Sequence, residues 1–328
     1  MALVATTHRP PAPVPTGPAG ALKRVMFQAL GTTCELQYPV KDVEGGLRFE
    51  RAAVAWVEAF EAKYSRFRPE SLISRINLAA GLTAVEIDAE TEQLFKLCDT
   101  LHFLTQGILD PTLLPLLRLW NFETDQPVVP SDEQIAAARQ LVGWKKVQRS
   151  PGKVFLPVVG MALDLGGFGK EYAVDLVAQL AVDHGIPDVL VDFGHDIRAM
   201  GAPPGRVAWH IGLENPQRPG ESAGSVGLVG NRGIASSGDY IRRVTVGGRR
   251  YGHIIDPRTG WPVANGCIQA TGIAATCLHA GVLSTTAFVL GVTKGIEFMQ
   301  SFPGVEGLIL TESARAQTRG FFNHVVTN

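Results

Sequence analysis

The sequence predicts a mixed α/β (α+β) fold, and three observations predict it. Helix-like segments crowd the first half of the chain, whereas strands and helices alternate in the second. Gly and Pro supply 36 and 21 of the 328 residues, as expected for many turns between short elements. With 45% hydrophobic and 19% charged residues, a chain of this length can bury a large core.

In order, apolar spacing predicts helices over 47–64, 91–105 and 132–141. The second starts behind Asp88 and is closed by Gly107. The third has Ser131 and Gln134 in capping-box register and Gly143 beyond its end. A strand over 160–165 then leads into a helix over 170–184. A strand over 188–193 follows, and its Val-Leu-Val run suits a buried sheet. Further strands are expected over 208–213 and 233–236. A hairpin over 242–255 should turn at Gly247-Gly248, where glycine supplies positive φ. A final helix over 278–290 stops at Gly291. No repeat of 20 to 50 residues and no linker divide the chain. The expected organisation is a flexible arm over 1–22, rich in Pro, Ala and Thr, and a single domain over 23–328.

Charge narrows the partners. Thirty Lys+Arg against 31 Asp+Glu give a net charge of −1, with no basic block. Nucleic acid and anionic membrane both attract clustered cations, so neither is expected as a partner. No window is long and apolar enough to span a bilayer. The start of the chain lacks a basic segment followed by an apolar stretch, which predicts a cytoplasmic location. Cys34, Cys98, Cys267 and Cys277 have no metal-like spacing and are expected as buried thiols.

Several segments carry candidate chemistry. Asp164-Leu165-Gly166-Gly167-Phe168-Gly169-Lys170 joins a strand to a helix, where backbone N–H groups and Lys170 either meet an anion or make a packing turn. Its spacing is not that of a P-loop, and Glu171 follows the lysine. Ser236-Ser237-Gly238-Asp239-Tyr240 sets hydroxyls and a carboxylate around a glycine, which is either site or ordinary turn. In Tyr251 to Gly260, His253 precedes an Asp256-Pro257-Arg258-Thr259-Gly260 turn and is placed to move a proton or to serve structurally. Asp110-Pro111-Thr112 and Ser65 to Ser71, with Phe67, leave the same choice open. No Gly-x-Ser-x-Gly elbow and no His-Glu-x-x-His occur.

In this order the segments resemble one family, the ApbE-like FAD:protein FMN transferases. The matching pieces are Leu30-Gly31-Thr32-Thr33, Tyr64 to Ser71, Gly107 to Thr112 running on to Leu119-Trp120-Asn121-Phe122, and Leu163 to Asp175. Then come Val191 to Ile197, Ser236 to Tyr240, His253 to Gly260, and Leu283-Ser284-Thr285 before Phe288 to Gly291. The match runs from about residue 25 to 295. The resemblance implies an FAD:protein FMN transferase-like fold with a flavin cleft between two intimately packed subdomains. It implies transfer of FMN from FAD to a Ser or Thr hydroxyl of an acceptor flavoprotein carrying a flavinylation motif, with Mg²⁺ and release of AMP. By it, Leu30, Phe67, Ile108, Leu109, Asp110, Asp164, Lys170, Ser237 and Ile255 line the FAD site. His253, Asp256 and Asp239 fall in its reactive motifs, with His253 as candidate base, and the metal falls to Gly167, Leu278, Thr285 and position 281.

Three departures qualify the resemblance. Gly281 stands where the family has an Asp one helical turn before the metal-binding Thr, so a hard cation loses an anionic ligand there. Restoring it by Gly281→Asp is expected to raise Mg²⁺ dependence. His195 replaces a glycine, adding a side chain near the cleft. Lys170-Glu171 replaces Lys-Gly, putting a negative charge at a helix start. Loss of the Asp leaves two alternatives: a non-catalytic FAD-binding protein and an FAD diphosphatase.

Overall fold

The computed structural model describes residues 21–326, apart from 123, 125, 219 and 240–242. Most of the expected arm lies outside these residues, and its last residue, Leu22, already begins the first strand.

An eight-stranded sheet forms the spine. In spatial order its strands are Leu22–Ala29, Thr32–Pro39, Val189–Phe193, Asp196–Met200, Arg232–Gly238, Cys267–Ala274, Glu306–Thr311 and Arg315–Gln317. Every neighbouring pair is antiparallel. Two hairpins turn on residue pairs with positive φ, Leu30-Gly31 at +52° and +71° and Gly194-His195 at +70° for the histidine. The expected Gly247-Gly248 turn is present, joining Arg243–Val246 to Arg249–Gly252.

The strand Val189–Phe193 is apolar at every position but Asp192 because both of its faces are covered. Val189, Val191 and Phe193 pack with Phe49, Val57, Val174 and Val177, from the helices α1 (Val43–Tyr64) and α6 (Gly169–Asp183). Leu190 points the other way, toward Trp209, Val226, Leu228 and Phe321. Trp209 and Leu228 belong to a separate hairpin, Trp209–Glu214 with Ser222–Leu228. A second body is mainly helical: α2 (Leu72–Leu78) and α3 (Ala89–Leu104) close a core containing Ile73, Phe95, Leu101, Trp144, Leu163 and Phe168. Beyond it, α4 (Leu114–Trp120) and α5 (Asp132–Gln140) pack with Val244, Tyr251 and Ile255.

α7 (Cys277–Leu290) is the interior helix. Eleven of its 14 residues are buried and only His279 is exposed, as its mostly apolar sequence requires. Thr276 caps it by accepting from the His279 N–H at 3.1 Å, and Asp175 of α6 accepts from the N–H groups of Cys277 and Leu278 at 2.9 Å each. Two glycines let its backbone reach the sheet. A Cβ at Gly233 would strike the Thr276–Cys277 peptide, and one at Gly272 would stand 2.7 Å from the Ala280 carbonyl. α8 (Val292–Gln300) then runs alongside the Glu306–Thr311 strand.

Most expected elements are found within a few residues. α1 starts earlier than expected, behind Asp42, because Gly45 and Gly46 hid it; Gly46 makes room for the Tyr38 ring. The strand expected over 160–165 is absent. Its apolar run is buried, but the polar groups of the backbone bond elsewhere. Asn77 accepts from the Leu163 N–H at 2.6 Å and donates to the Leu163 carbonyl at 3.0 Å, while the Asp164 N–H donates to the Pro111 carbonyl at 2.8 Å. A run of apolar residues reports burial, not pairing, and here a side-chain amide replaces the neighbouring strand. All four cysteines are free and buried.

The close approach at Gly233 makes a testable demand. Gly233→Ala should destabilise the protein by about 1–3 kcal/mol, because the obstruction is backbone and cannot rotate away. Urea unfolding of the variant checks this, and unchanged stability would mean that α7 can shift.

Candidate functional site

The residues of the quoted motifs fall into three clusters. The first centres on Asp164, on the loop that replaces the expected strand. Its carboxylate accepts from the Gly166 N–H at 2.9 Å and pairs with Arg66 at 3.0 Å. The Arg66 guanidinium lies 4.0 Å from the centre of the Phe67 ring, which is 66% exposed. A large aromatic held out in solvent and backed by a cation is a stacking platform. Sequence reasoning passed over Arg66, although it sits in the quoted motif between Ser65 and Phe67. Leu30 packs against both neighbouring cores from its positive-φ turn, an uncommon conformation for leucine.

Asp110 is tied to this cluster through Pro111, but its carboxylate serves the fold. It accepts from the Thr112 hydroxyl and N–H, at 2.5 and 2.8 Å, and from the Trp144 N–H at 3.0 Å, with His102 at 3.5 Å. Burial pushes its acidity the other way, but these donors win and hold it below the usual carboxylate range. Ile108 and Leu109 are buried beside it. An open groove of about 530 Å³ runs from Gly107, Asp110 and Gly143 to Arg139, Pro257 and Arg258. It skirts this turn, and neither Lys170, Ser237 nor Thr285 lines it.

The second cluster lies where α6, α7 and the Arg232–Gly238 strand meet. Lys170 pairs with buried Asp196 at 2.6 Å. Burial opposes the charge of the lysine, but Asp196 and Glu171 outweigh it and raise its pKa. The Ser237 hydroxyl shares hydrogen bonds with Thr285 at 2.7 Å and Ser284 at 2.9 Å. Glu171 is buried, which, with Asp196 nearby, pushes its pKa up to about 8. Its Oε2 has no hydrogen-bond partner among the described residues. Gly281 presents only backbone, and a Cβ there would stand 2.7 Å from Glu171 Oε1. His195 turns its side chain outward, 85% exposed, while its N–H bonds Asp192 at 2.7 Å, so the added side chain does not enter the cluster.

The third cluster is built on the Arg249–Gly252 strand and the turn after it. Asp239 is buried with its Oδ1 unpartnered among the described residues; burial raises its pKa, and Arg250 stands 3.6 Å away. Gly252 leaves no room for a Cβ against Asp239, so the half-buried His253 follows immediately after that contact. Asp256 is occupied by Arg258, accepting from its N–H and Nε at 2.9 Å each and from Nη2 at 2.7 Å. It builds the turn, whose Gly260 carbonyl accepts from Trp120 Nε1 at 2.9 Å, while Ile255 pairs with Pro262. Tyr240, the last residue of the Ser236 to Tyr240 motif, lies outside the described residues.

A hard cation fits the second cluster. Among the described residues no three His, Cys, Asp or Glu side chains gather as a metal-holding group. Mg²⁺ does not need such a cage, because it commonly takes one or two carboxylates together with water and phosphate oxygens. The buried Glu171 side chain, with one oxygen lacking a donor, offers such a carboxylate; it packs against Gly281, one helical turn before Thr285.

Comparisons with known proteins identify the family. Residues 30–309 match the family described as the ApbE family. The chain is 32% identical to the FAD:protein FMN transferase of Vibrio cholerae over 242 residues, covering 73% of this chain and 72% of that protein. It is also 32% identical to the Haemophilus influenzae FAD:protein FMN transferase over 284 residues, covering 81% of each. Among solved structures it resembles the ApbE protein of Thermotoga maritima, with a TM-score of 0.85 and 30% identity over 94% of this chain and 100% of that one. It also resembles the flavin transferase ApbE of Vibrio cholerae, with a TM-score of 0.80 and 27% identity, covering 93% of this chain and 100% of that one.

Two outcomes follow from the first cluster. Phe67→Ala should weaken FAD binding by about 1 kcal/mol, roughly fivefold, with unfolding unchanged because the ring is exposed; fluorescence titration reads the affinity. Asp110→Ala should cost about 2 kcal/mol of stability by stranding its donors. The folded pKa of Asp110 lies below the unfolded value, so this contribution is present above about pH 4 and fades as pH falls through the folded pKa. Urea midpoints of both proteins across pH 3 to 7 should therefore converge at the acidic end.

Proposed function

This chain belongs to the ApbE family, and on that premise we propose that it transfers the FMN part of FAD to a Ser or Thr hydroxyl of an acceptor protein, releasing AMP. The observation that carries this reading is the second cluster. There a lysine held charged by Asp196, the start of α6 and the Ser237–Thr285 hydroxyl pair meet at one seam. That is a setting for a diphosphate.

The chemistry divides among the chain's own residues. Lys170 and the Gly166-Gly167 backbone draw the diphosphate toward the α6 N-terminus, where no side chain caps the helix. Phe67, steadied by Arg66 and through it by Asp164, stacks on a planar ring of FAD, with Leu30, Ile108, Leu109 and Ile255 as apolar walls. Asp110 positions that wall. Asp256 and Arg258 shape the turn that carries His253, and Asp239 abuts its base. The acceptor oxygen attacks the phosphorus of the FMN half, the bridging P–O bond breaks, and AMP leaves. His253 takes the proton of the incoming hydroxyl. Thr285, with the carbonyls of Gly167 and Leu278, would hold Mg²⁺, which when bound neutralises charge on the diphosphate.

The test is the intact mass of a peptide carrying Asp-Gly-x-x-Ser/Thr-Gly-Ala-Thr, incubated with the protein and FAD. An added FMN mass with AMP release is expected. Bound FAD beside an unmodified peptide would point to a binding protein, and AMP with free FMN to a diphosphatase. His253→Asn should keep FAD affinity and lower transfer by roughly 100-fold or more; undiminished transfer removes it as the base.

A further inference from the structure

The mechanism above leaves Glu171 unused, although its position is costly. The residue is 9% exposed, and its Oε2 has no hydrogen-bond partner among the described residues. The neighbouring acids are occupied. Asp196 holds the Lys170 ammonium at 2.6 Å, and Asp175 accepts from the first N–H groups of α7 with Arg198 behind it at 3.8 Å. Glu171 therefore keeps an acceptor oxygen inside the protein with nothing bound to it among these residues.

Its position against α7 shows which space the side chain occupies. An ideal Cβ on Gly281 would stand 2.7 Å from both Cγ and Oε1 of Glu171 and 3.0 Å from Cδ. The glutamate thus fills the volume that a side chain at 281 would take. Residue 285 lies one helical turn further along the same face, about 5–6 Å away. There Thr285 presents a hydroxyl, half-buried and already within 2.7 Å of Ser237. A carboxylate from α6 and a hydroxyl from α7 therefore flank one stretch of the seam.

We propose that Glu171 is the anionic ligand of the divalent cation, reaching from α6 into the space beside Gly281, with Thr285 as a neutral ligand on the facing helix. This assignment rests on the flavin-transfer reading, in which diphosphate and water oxygens complete the shell. An all-oxygen donor set selects a hard ion such as Mg²⁺. Glycine at 281 and glutamate at 171 become two halves of one arrangement, since a side chain at 281 and the Glu171 carboxylate exclude each other. Gly281→Asp alone accordingly crowds Glu171 instead of strengthening the site.

Metal binding, not turnover, tests this. Mg²⁺ is titrated into the FAD-bound protein without acceptor, and heat and the thermal midpoint are recorded. The wild type should bind Mg²⁺ and gain midpoint. Glu171→Gln, similar in shape but uncharged, should weaken Mg²⁺ binding at least tenfold and lose the gain, while FAD affinity without metal is kept. The double change Glu171→Gly with Gly281→Asp returns a carboxylate to α7 and should restore both signals, which separates a lost ligand from a damaged fold. Unchanged Mg²⁺ affinity in Glu171→Gln, a wild type that ignores Mg²⁺, or a double variant that fails to recover each overturns the assignment. The two readings fail separately. Glu171-dependent Mg²⁺ binding with no FMN on any peptide defeats only the transferase reading, whereas transfer with Glu171-independent metal affinity defeats only the ligand assignment.

Discussion

The backbone-to-backbone contact between α7 and the central sheet is the constraint from which the rest of the structure follows. A helix can lie this close to strands only where neither surface carries bulk, and Gly233 and Gly272 remove it from the sheet. The opposite side of α7 is closed by α6, whose Asp175 ties down the first turn of the helix. Once α7 is fixed on both sides, its rotation is fixed too. Gly281 must then face Glu171, and Ser284 and Thr285 must face Ser237.

That burial sets the electrostatics. Lys170, Glu171, Asp175 and Asp196 are all drawn into the seam between α6 and its neighbours, where an unpaired charge is far more expensive than at the surface. Each group is held according to its partners. Asp196 and Lys170 neutralise each other, and Asp175 is bonded by two amides. Glu171, pushed up to about 8 by burial, keeps an oxygen unpartnered among the described residues. Sites that bind polyanions and cations commonly carry such uncompensated groups, because a fold that satisfied them internally would leave nothing to offer a ligand. Asp110 and Asp256 illustrate the opposite case. Both lie in motifs that read as chemistry, yet their oxygens are used by Thr112 and Trp144, and by Arg258. Both carboxylates hold turns.

The local part of the fold was legible along the chain. Caps, turns and periodicity depend on residues a few positions apart, so α3 behind Asp88, α5 with its Ser131–Gln134 box and the Gly247-Gly248 hairpin were legible. The ordered motifs likewise identified the family, because each is a short contiguous string. Which apolar runs pair and which groups meet was set by packing between distant segments. The 160–165 run is coil because Asn77, far away in the chain, supplies the bonds a strand would have given. Phe67 and Asp164 are joined by Arg66, and Glu171 meets Gly281 across 110 positions because α6 and α7 are packed side by side. The sequence displayed both departures, a glycine where an acid was expected and an acid where a glycine was. Only the packing of two helices reveals that they occupy the same space, since steric exclusion is a property of distance and not of order along the chain.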